Sequence, residues 1–182
     1  MRFLRAVAAL VLTTVTACNP QAPKSSPSPP PRATPHAKGA PLVLTVTGKG
    51  TANRPVRFIQ QVHNRVNYDL LASSYESKGP QNSMRSVFSD ARVTFRDPKG
   101  STITASAPQA VVDQTANTVT LIGGVAAHTG AGMTLHCDEL VYRRDKASLH
   151  GDGNVVITDP KGFRATGSSF DSDISLTHMR MQ

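Results

Sequence analysis

The side chains best suited to chemistry gather in one short stretch. His128, followed by His136-Cys137-Asp138-Glu139 in unbroken succession, supplies imidazole, thiol and carboxylate groups. Such a set suits a divalent metal only if the donors converge. On a strand consecutive side chains point to opposite faces, so at most two of the last four can meet. No zinc-type ligand spacing surrounds them. The stretch therefore reads as structural, with no metal and no cofactor. The chain also lacks G-x-S-x-G, H-E-x-x-H and C-x-x-C. Gly48-Lys-Gly50 lacks the strand-to-helix setting of a phosphate-binding loop and reads as a turn. No catalytic residue is assigned, and the expectation is a protein that is not an enzyme. A glycolipid-modifying activity resting on Asp138 or Glu139 is the remotest alternative.

The other cysteine has a clearer context. Arg2 and Arg5 precede an apolar stretch from Ala6 to Val15, and Val15-Thr-Ala leads into Cys18. That apolar stretch is too short to cross a bilayer, which takes about 20 residues, and reads as a secretory signal. An aliphatic residue three places before Cys, with small residues between, resembles a bacterial lipobox. The resemblance implies a signal peptide over 1–17 and lipidation of Cys18, giving a membrane anchor of two or more acyl chains. Residues 18–41 then read as a lipidated Cys followed by a flexible tether. Eight of the 13 prolines lie between Asn19 and Pro41, and extended proline-rich chain spans ~3.1 Å per residue, ~70 Å at most here. With Cys18 acylated, Cys137 has no intramolecular disulfide partner and is expected to be buried as a small apolar group.

The folded part, 42–182, must be built from elements that position any site. Its core is a unit written three times, opening at Val93-Thr-Phe95-Arg-Asp97-Pro-Lys-Gly100, Val125-Ala-Ala127-His-Thr129-Gly-Ala-Gly132 and Val155-Val-Ile157-Thr-Asp159-Pro-Lys-Gly162. Starts near 93, 125 and 155 give a period characteristic of repeats that bury their apolar faces against one another. Apolar residues alternate with polar ones throughout, so each strand has one apolar face. Asp-Pro-Lys-Gly, Thr-Gly-Ala-Gly, Thr115-Ala-Asn117, Asp145-Lys146, Gly123-Gly124 and Gly151-Asp-Gly153 read as turns. Upstream, Leu42–Thr47 reads as a strand. Val56 to Leu71 fits both a helical stripe and strand parity, and its β-branched residues and missing helix cap select two strands around His63-Asn64. Met84 to Ser89 is a further strand. The expected fold is all-β and antiparallel, two facing sheets around an apolar interior with open ends.

The candidate lining of that interior is Val93, Phe95, Ile103, Val112, Val119, Leu121, Val125, Met133, Leu135, Leu140, Tyr142, Leu149, Val155, Ile157, Phe163 and Phe170. Open sheet ends can accept a partner's strand; the end strands expected are Leu42–Thr47 or the Val56 region, and Ile174–Met181. The net charge of +8 favours anionic partners, and Arg143, Arg144, Lys146, Lys161 and Arg164 are candidates to meet phosphates at a groove rim. Aromatics make up 5 % and Trp is absent, which argues against the base stacking of single-stranded nucleic-acid binders.

Strand, glycine turn, strand, Cys137-Asp-Glu-Leu140-Val-Tyr142-Arg, turn and strand, with Tyr68-Asp-Leu-Leu-Ala72 upstream, resemble the OstA-like lipopolysaccharide-transport domains, LptC in particular, over roughly Asn64 to Met179. The resemblance implies a β-jellyroll or β-taco that holds lipopolysaccharide acyl chains in its groove. It also implies edge-strand pairing with the lipopolysaccharide-export ABC transporter and with LptA-like proteins, at the periplasmic side of the inner membrane. Better-known LptC proteins carry an N-terminal transmembrane helix, for which a lipid anchor and tether stand here. A fully packed β solenoid acting as an envelope adaptor is the alternative.

Overall fold

Alternating apolar and polar residues leave every segment with one face that must be covered, and the chain covers it by folding a single sheet onto itself. The computed structural model describes residues 43–80 and 83–182; the expected signal peptide, lipidation site Cys18 and tether lie outside the described residues. The described strands are β1 (Leu44–Lys49), β2 (Val56–Val62), β3 (Arg65–Ala72), β4 (Ser74–Gly79), β5 (Arg85–Arg96), β6 (Thr102–Asp113), β7 (Thr118–Thr129), β8 (Thr134–Arg143), β9 (Ser148–Thr158), β10 (Arg164–Asp173) and β11 (Arg180–Met181). They form one antiparallel sheet in the order β1-β4-β5-β6-β7-β8-β9-β10-β11, with β3 pairing both β2 and β5. The two facing layers expected from the sequence are halves of that sheet.

The halves arise because every long strand changes direction near its middle. β5 pairs with β3 along Arg92–Phe95 and with β4 along Arg85–Ser89, so β3 and β4 act as one strand interrupted at Ser73. Ser73 fixes the interruption by donating to the Ser89 carbonyl and to Asp90 Oδ2 (2.9 Å). Along the stack the same level carries Asp90 (φ 49°), Gly123 and Gly124 (95° and 91°), and Gly153 and Asn154 (73° and 50°). Register shifts fall there between β6 and β7, β7 and β8, β8 and β9, and β9 and β10. Bulges with left-handed residues bend a strand and increase its twist, and a column of them creases the sheet. Gly123-Gly124 and Gly151-Asp-Gly153, expected as turns, are therefore corners inside β7 and β9.

At the crease the inward-facing set can change parity. β5 buries Ser86 and Phe88 before it and Ala91, Val93 and Phe95 after it; β8 buries Leu135 and Cys137, then Leu140 and Tyr142. Ala91, Ala107, Val125 and Cys137 sit next to the crease in one half; in the other, Ala110 and Gly151 leave room at that level for the paired Phe88, Leu121, Leu140 and Phe170.

The strand ends form two lips. One carries the repeated turns, and all three close alike. Gly100, Gly132 and Gly162 have φ between 87° and 93° and donate to the carbonyls of Asp97, Thr129 and Asp159. A side-chain oxygen of each of those residues accepts the amide four places on, from Ser101 (2.8 Å), Met133 (3.1 Å) and Phe163 (2.8 Å). Thr129 thus replaces Asp without changing the turn. The other lip carries the β6–β7 and β8–β9 turns and the segment after β10.

That last segment departs from the expected end strand Ile174–Met181. Only Arg180–Met181 pairs, opposite Asp171 and Phe170, while Ile174 and Leu176 turn inward and are fully buried. Asp173 holds the bend: its carboxylate accepts the Thr177 amide (2.9 Å) and the Ser175 and Thr177 hydroxyls, with His178 Nδ1 at 3.2 Å. Partial burial opposes ionisation of Asp173, but the hydrogen bonds from His178, Ser175 and Thr177 outweigh it and hold the carboxyl well below its ordinary range. Burial of Ile174 and Leu176 contributes roughly 1.5–3 kcal/mol each, offset by about 1–2 kcal/mol for holding Leu176 at φ 57°.

The crease gives a direct test. A Cβ at Gly153 would lie 2.8 Å from Asp138 Cβ in a left-handed conformation. Gly153→Ala is expected to lower stability by about 2–4 kcal/mol, combining overpacking with the φ penalty, read as a lower urea midpoint with an unchanged slope. Unchanged stability would mean that the crease does not need this glycine.

Candidate functional site

The creased sheet collects the predicted lining into one interior. Val93, Phe95, Ile103, Val112, Val119, Leu121, Val125, Leu135, Leu140, Tyr142, Leu149, Val155, Ile157 and Phe170 all belong to a single buried cluster. Met133 packs against it, partly exposed at the lip. Phe163 does not join it and is 68 % exposed. It shares parity with Ala165 but precedes the start of β10 at Arg164, so it projects past the lip where no facing strand covers it.

Several interior residues were absent from the predicted lining. Phe58, Tyr68, Tyr75 and Phe88 join Phe95 and Tyr142 in a chain of ring contacts that crosses between the halves, with centroids 4.4 to 6.2 Å apart. Period-two parity alone identifies Phe58 and Tyr68 as inward, since Phe58 pairs with Leu70 and Gln60 with Tyr68. Tyr75 and Phe88 pair directly across β4 and β5; β4 was missed because Ser-Tyr-Glu-Ser-Lys-Gly carries almost no apolar signal, whereas Phe88 lies in the expected strand Met84–Ser89 but was not named in the lining. Ser77 and Ser86 are buried there without cost because their hydroxyls bond at 2.6 Å.

The two lips approach each other where Phe95 from one meets Tyr142 from the other, at 4.4 Å. Burial pushes the Tyr68 hydroxyl up to about 12 and raises Tyr142 as well, and the charge of Arg144 opposes both shifts. Of the candidate rim cations, Arg143, Arg144 and Lys146 belong to the lip of Tyr142, Lys161 and Arg164 to the opposite one, and all but the half-buried Arg144 are exposed.

The stack ends differently at its two extremities. At the N-terminal end both expected alternatives occur together, β1 edging one half and β2 the other. Leu44 and Val46 share the inward parity of Ser77 yet remain 38 % and 43 % exposed, which opens the interior to solvent. A cavity of about 740 Å³ lies nearby, lined chiefly by the outward residues Thr47, Lys49, Glu76, Lys78, Arg85 and Val87 and so on the opposite face of the sheet. At the C-terminal end Ile174 and Leu176 fill the corresponding space.

The chemical cluster disperses. Cys137 faces the interior, His136 and Asp138 face out, and Asp138 is engaged by Asn154 Nδ2 (2.7 Å) at the crease. Among the described residues no three His, Cys, Asp or Glu side chains are grouped to hold a metal. Burial, reinforced by Asp138, Asp152 and Glu139, pushes the Cys137 thiol up to about 12. Its thiolate fraction near pH 8 is thereby about 10³-fold below that of a free cysteine. In protein whose Cys18 is acylated or replaced, maleimide labelling at pH 8 should be slower than that of a free thiol by at least ~10³-fold and become fast in denaturant. Rapid labelling of the native protein would mean that the interior is open to solvent.

The family model described as lipopolysaccharide-assembly, LptC-related, matches residues 51–181, a span that takes in every strand from β2 to β11. Comparison with curated proteins finds no match. A creased all-β stack with a continuous apolar interior accompanies a match over well over half of the chain. The chain belongs to the LptC-related family of lipopolysaccharide-assembly proteins, which serve lipopolysaccharide transport at the cell envelope.

Proposed function

We propose that the interior between the two half-sheets shelters the acyl chains of lipopolysaccharide and that the chain is one segment of an end-to-end β bridge. The observation that carries this reading is the continuity of the apolar lining, which runs from the open mouth at Leu44 and Val46 through every strand to Phe170. Layers of similar Val, Ile, Leu and Phe side chains offer an acyl chain similar contacts at each level, so it can advance without a deep trap. Since the interior is filled by its own side chains, a lipid must part the lips. The Phe95–Tyr142 contact resists that by only about 0.5–1.5 kcal/mol beyond its buried area. Arg143, Arg144, Lys146, Lys161 and Arg164 on the lips would meet lipid phosphates outside the seam.

In this proposal, lipidated Cys18 and residues 19–41 hold the domain near the inner membrane. The two sheet edges take strands from the export transporter on one side and an LptA-like protein on the other. A second reading, a packed adaptor that joins envelope partners through its edges without carrying lipid, is favoured by the closed packing of the same interior.

Photo-crosslinking in lipopolysaccharide-producing cells separates the two, with the probe at Leu135, which is fully buried, and at Thr134, which is exposed on the same strand. Lipopolysaccharide adducts are expected at Leu135 and not at Thr134. Protein adducts alone at Leu135, in a variant that folds and expresses normally, would select the adaptor.

A further inference from the structure

The two edges of the sheet are matched in direction. β1 pairs antiparallel with β4, and β4 runs from the crease toward the lip, as the second half of β10 does. β2 pairs antiparallel with β3, which runs from lip to crease like Arg164–Gly167 of β10. A second copy placed end to end without inversion would therefore continue the antiparallel order in both halves. Its β1 would lie along Ser169–Asp173 and its β2 along Arg164–Gly167.

Half of that berth is already taken. β11 lies beside the second half of β10 and runs in the direction an incoming β1 would have. Gln182 extends the contact, its carbonyl accepting from Ser168 N (2.7 Å) and its amide donating to the Ser169 carbonyl (3.0 Å). Ile174 and Leu176 fill the interior at the level where the inward Leu44 and Val46 of a following copy would project. The first half of β10 has no strand on its outer side among the described residues.

We propose that residues Ile174–Gln182 form a displaceable strap that stands in for the first half-strand of an end-to-end neighbour and must leave before that edge is used. The occupant it yields to is the β1–β2 edge of a second copy of this chain; the proposal rests on the end-to-end reading above. Three features make the strap removable. Its ladder is two residues long, against ten to twelve in the strands of the stack from β5 to β10. Its bend depends on one carboxylate, Asp173, with Leu176 in a left-handed conformation. A cleft of about 360 Å³, lined by Lys146, Asp171, Asp173, His178 and Arg180 among others, separates it from the β8–β9 turn. An arriving β1 would replace the backbone pairing of β11 and offer Leu44 and Val46 for the burial lost by Ile174 and Leu176.

The test compares the wild type, Asp173→Asn, and a pair Asp171→Cys with Arg180→Cys, residues that face each other across β10 and β11. Self-association is followed by sedimentation velocity over a concentration series. Asp173→Asn is expected to associate at concentrations at least tenfold lower than wild type. The oxidised cysteine pair is expected to stay monomeric and to recover association on reduction. Association of the oxidised pair equal to that of its reduced form would overturn the strap. If wild type, Asp173→Asn and the reduced pair all stay monomeric at every concentration, a second copy is not the occupant and the strap proposal falls, while the lipid-bridge reading is decided separately by the crosslinking at Leu135.

Discussion

The bend that each strand makes at one common level governs the molecule. A flat sheet of this sequence would expose an apolar face to water, and a smooth barrel would need a different stagger between strands. The column from Ser73 and Asp90 through Pro108, Gly123-Gly124, Asp138 and Gly153-Asn154 bends the strands; β5, β6, β8 and β10 change the parity of their buried set across it, while β7 and β9 keep theirs. The facing of the two halves, the meeting of the lips and the split of each edge into half-strands follow from that column. The corner residues differ in chemistry because several solutions satisfy the same need. Asp90 and Asn154 tolerate left-handed backbone, glycine adopts it freely, and Pro108 gives up a donor.

Much of this was legible in the sequence, and the failures have physical causes. Alternation picked out the shorter stretches that join into β5 to β10, and fourteen of the sixteen candidate residues lie in the buried cluster, because burial on one face of a strand imposes a period of two. Alternation says nothing about where a strand bends, so glycine pairs at the crease resembled glycines in turns. The repeat was also read as opening at Val93, Val125 and Val155, which lie just beyond the corner rather than at a strand start. Phe163 has the right parity at the wrong distance, one residue outside its strand. Ile174 and Leu176 were read as part of an end strand; their burial as a plug depends on a reversal that Asp173 sets through local hydrogen bonds.

The proposed passage of acyl chains places two demands on the interior that a static core does not face. It must be dry and tightly filled when empty, since a wide apolar slot would bind any hydrophobic molecule or collapse, and it must separate along the seam at modest cost. The Phe95–Tyr142 ring contact meets both, closing the seam through side chains. Glycine beneath an aromatic ring, as at Gly151 under Phe170 and Gly48 under Tyr75, lets the ring lie against the backbone where any side chain would clash, which helps fix the strand register.

The matched direction of the two edges also limits how such a chain can change in length. Strands alternate in direction, so gaining or losing one repeat, two strands, leaves both edges oriented as before. Gaining a single strand would reverse one edge and present a following copy with a parallel, mispaired ladder. At about 4.8 Å per strand, length is therefore quantised in steps of about 10 Å. An insertion that respects this quantum extends the stack, and one that does not leaves an edge that a following copy cannot pair.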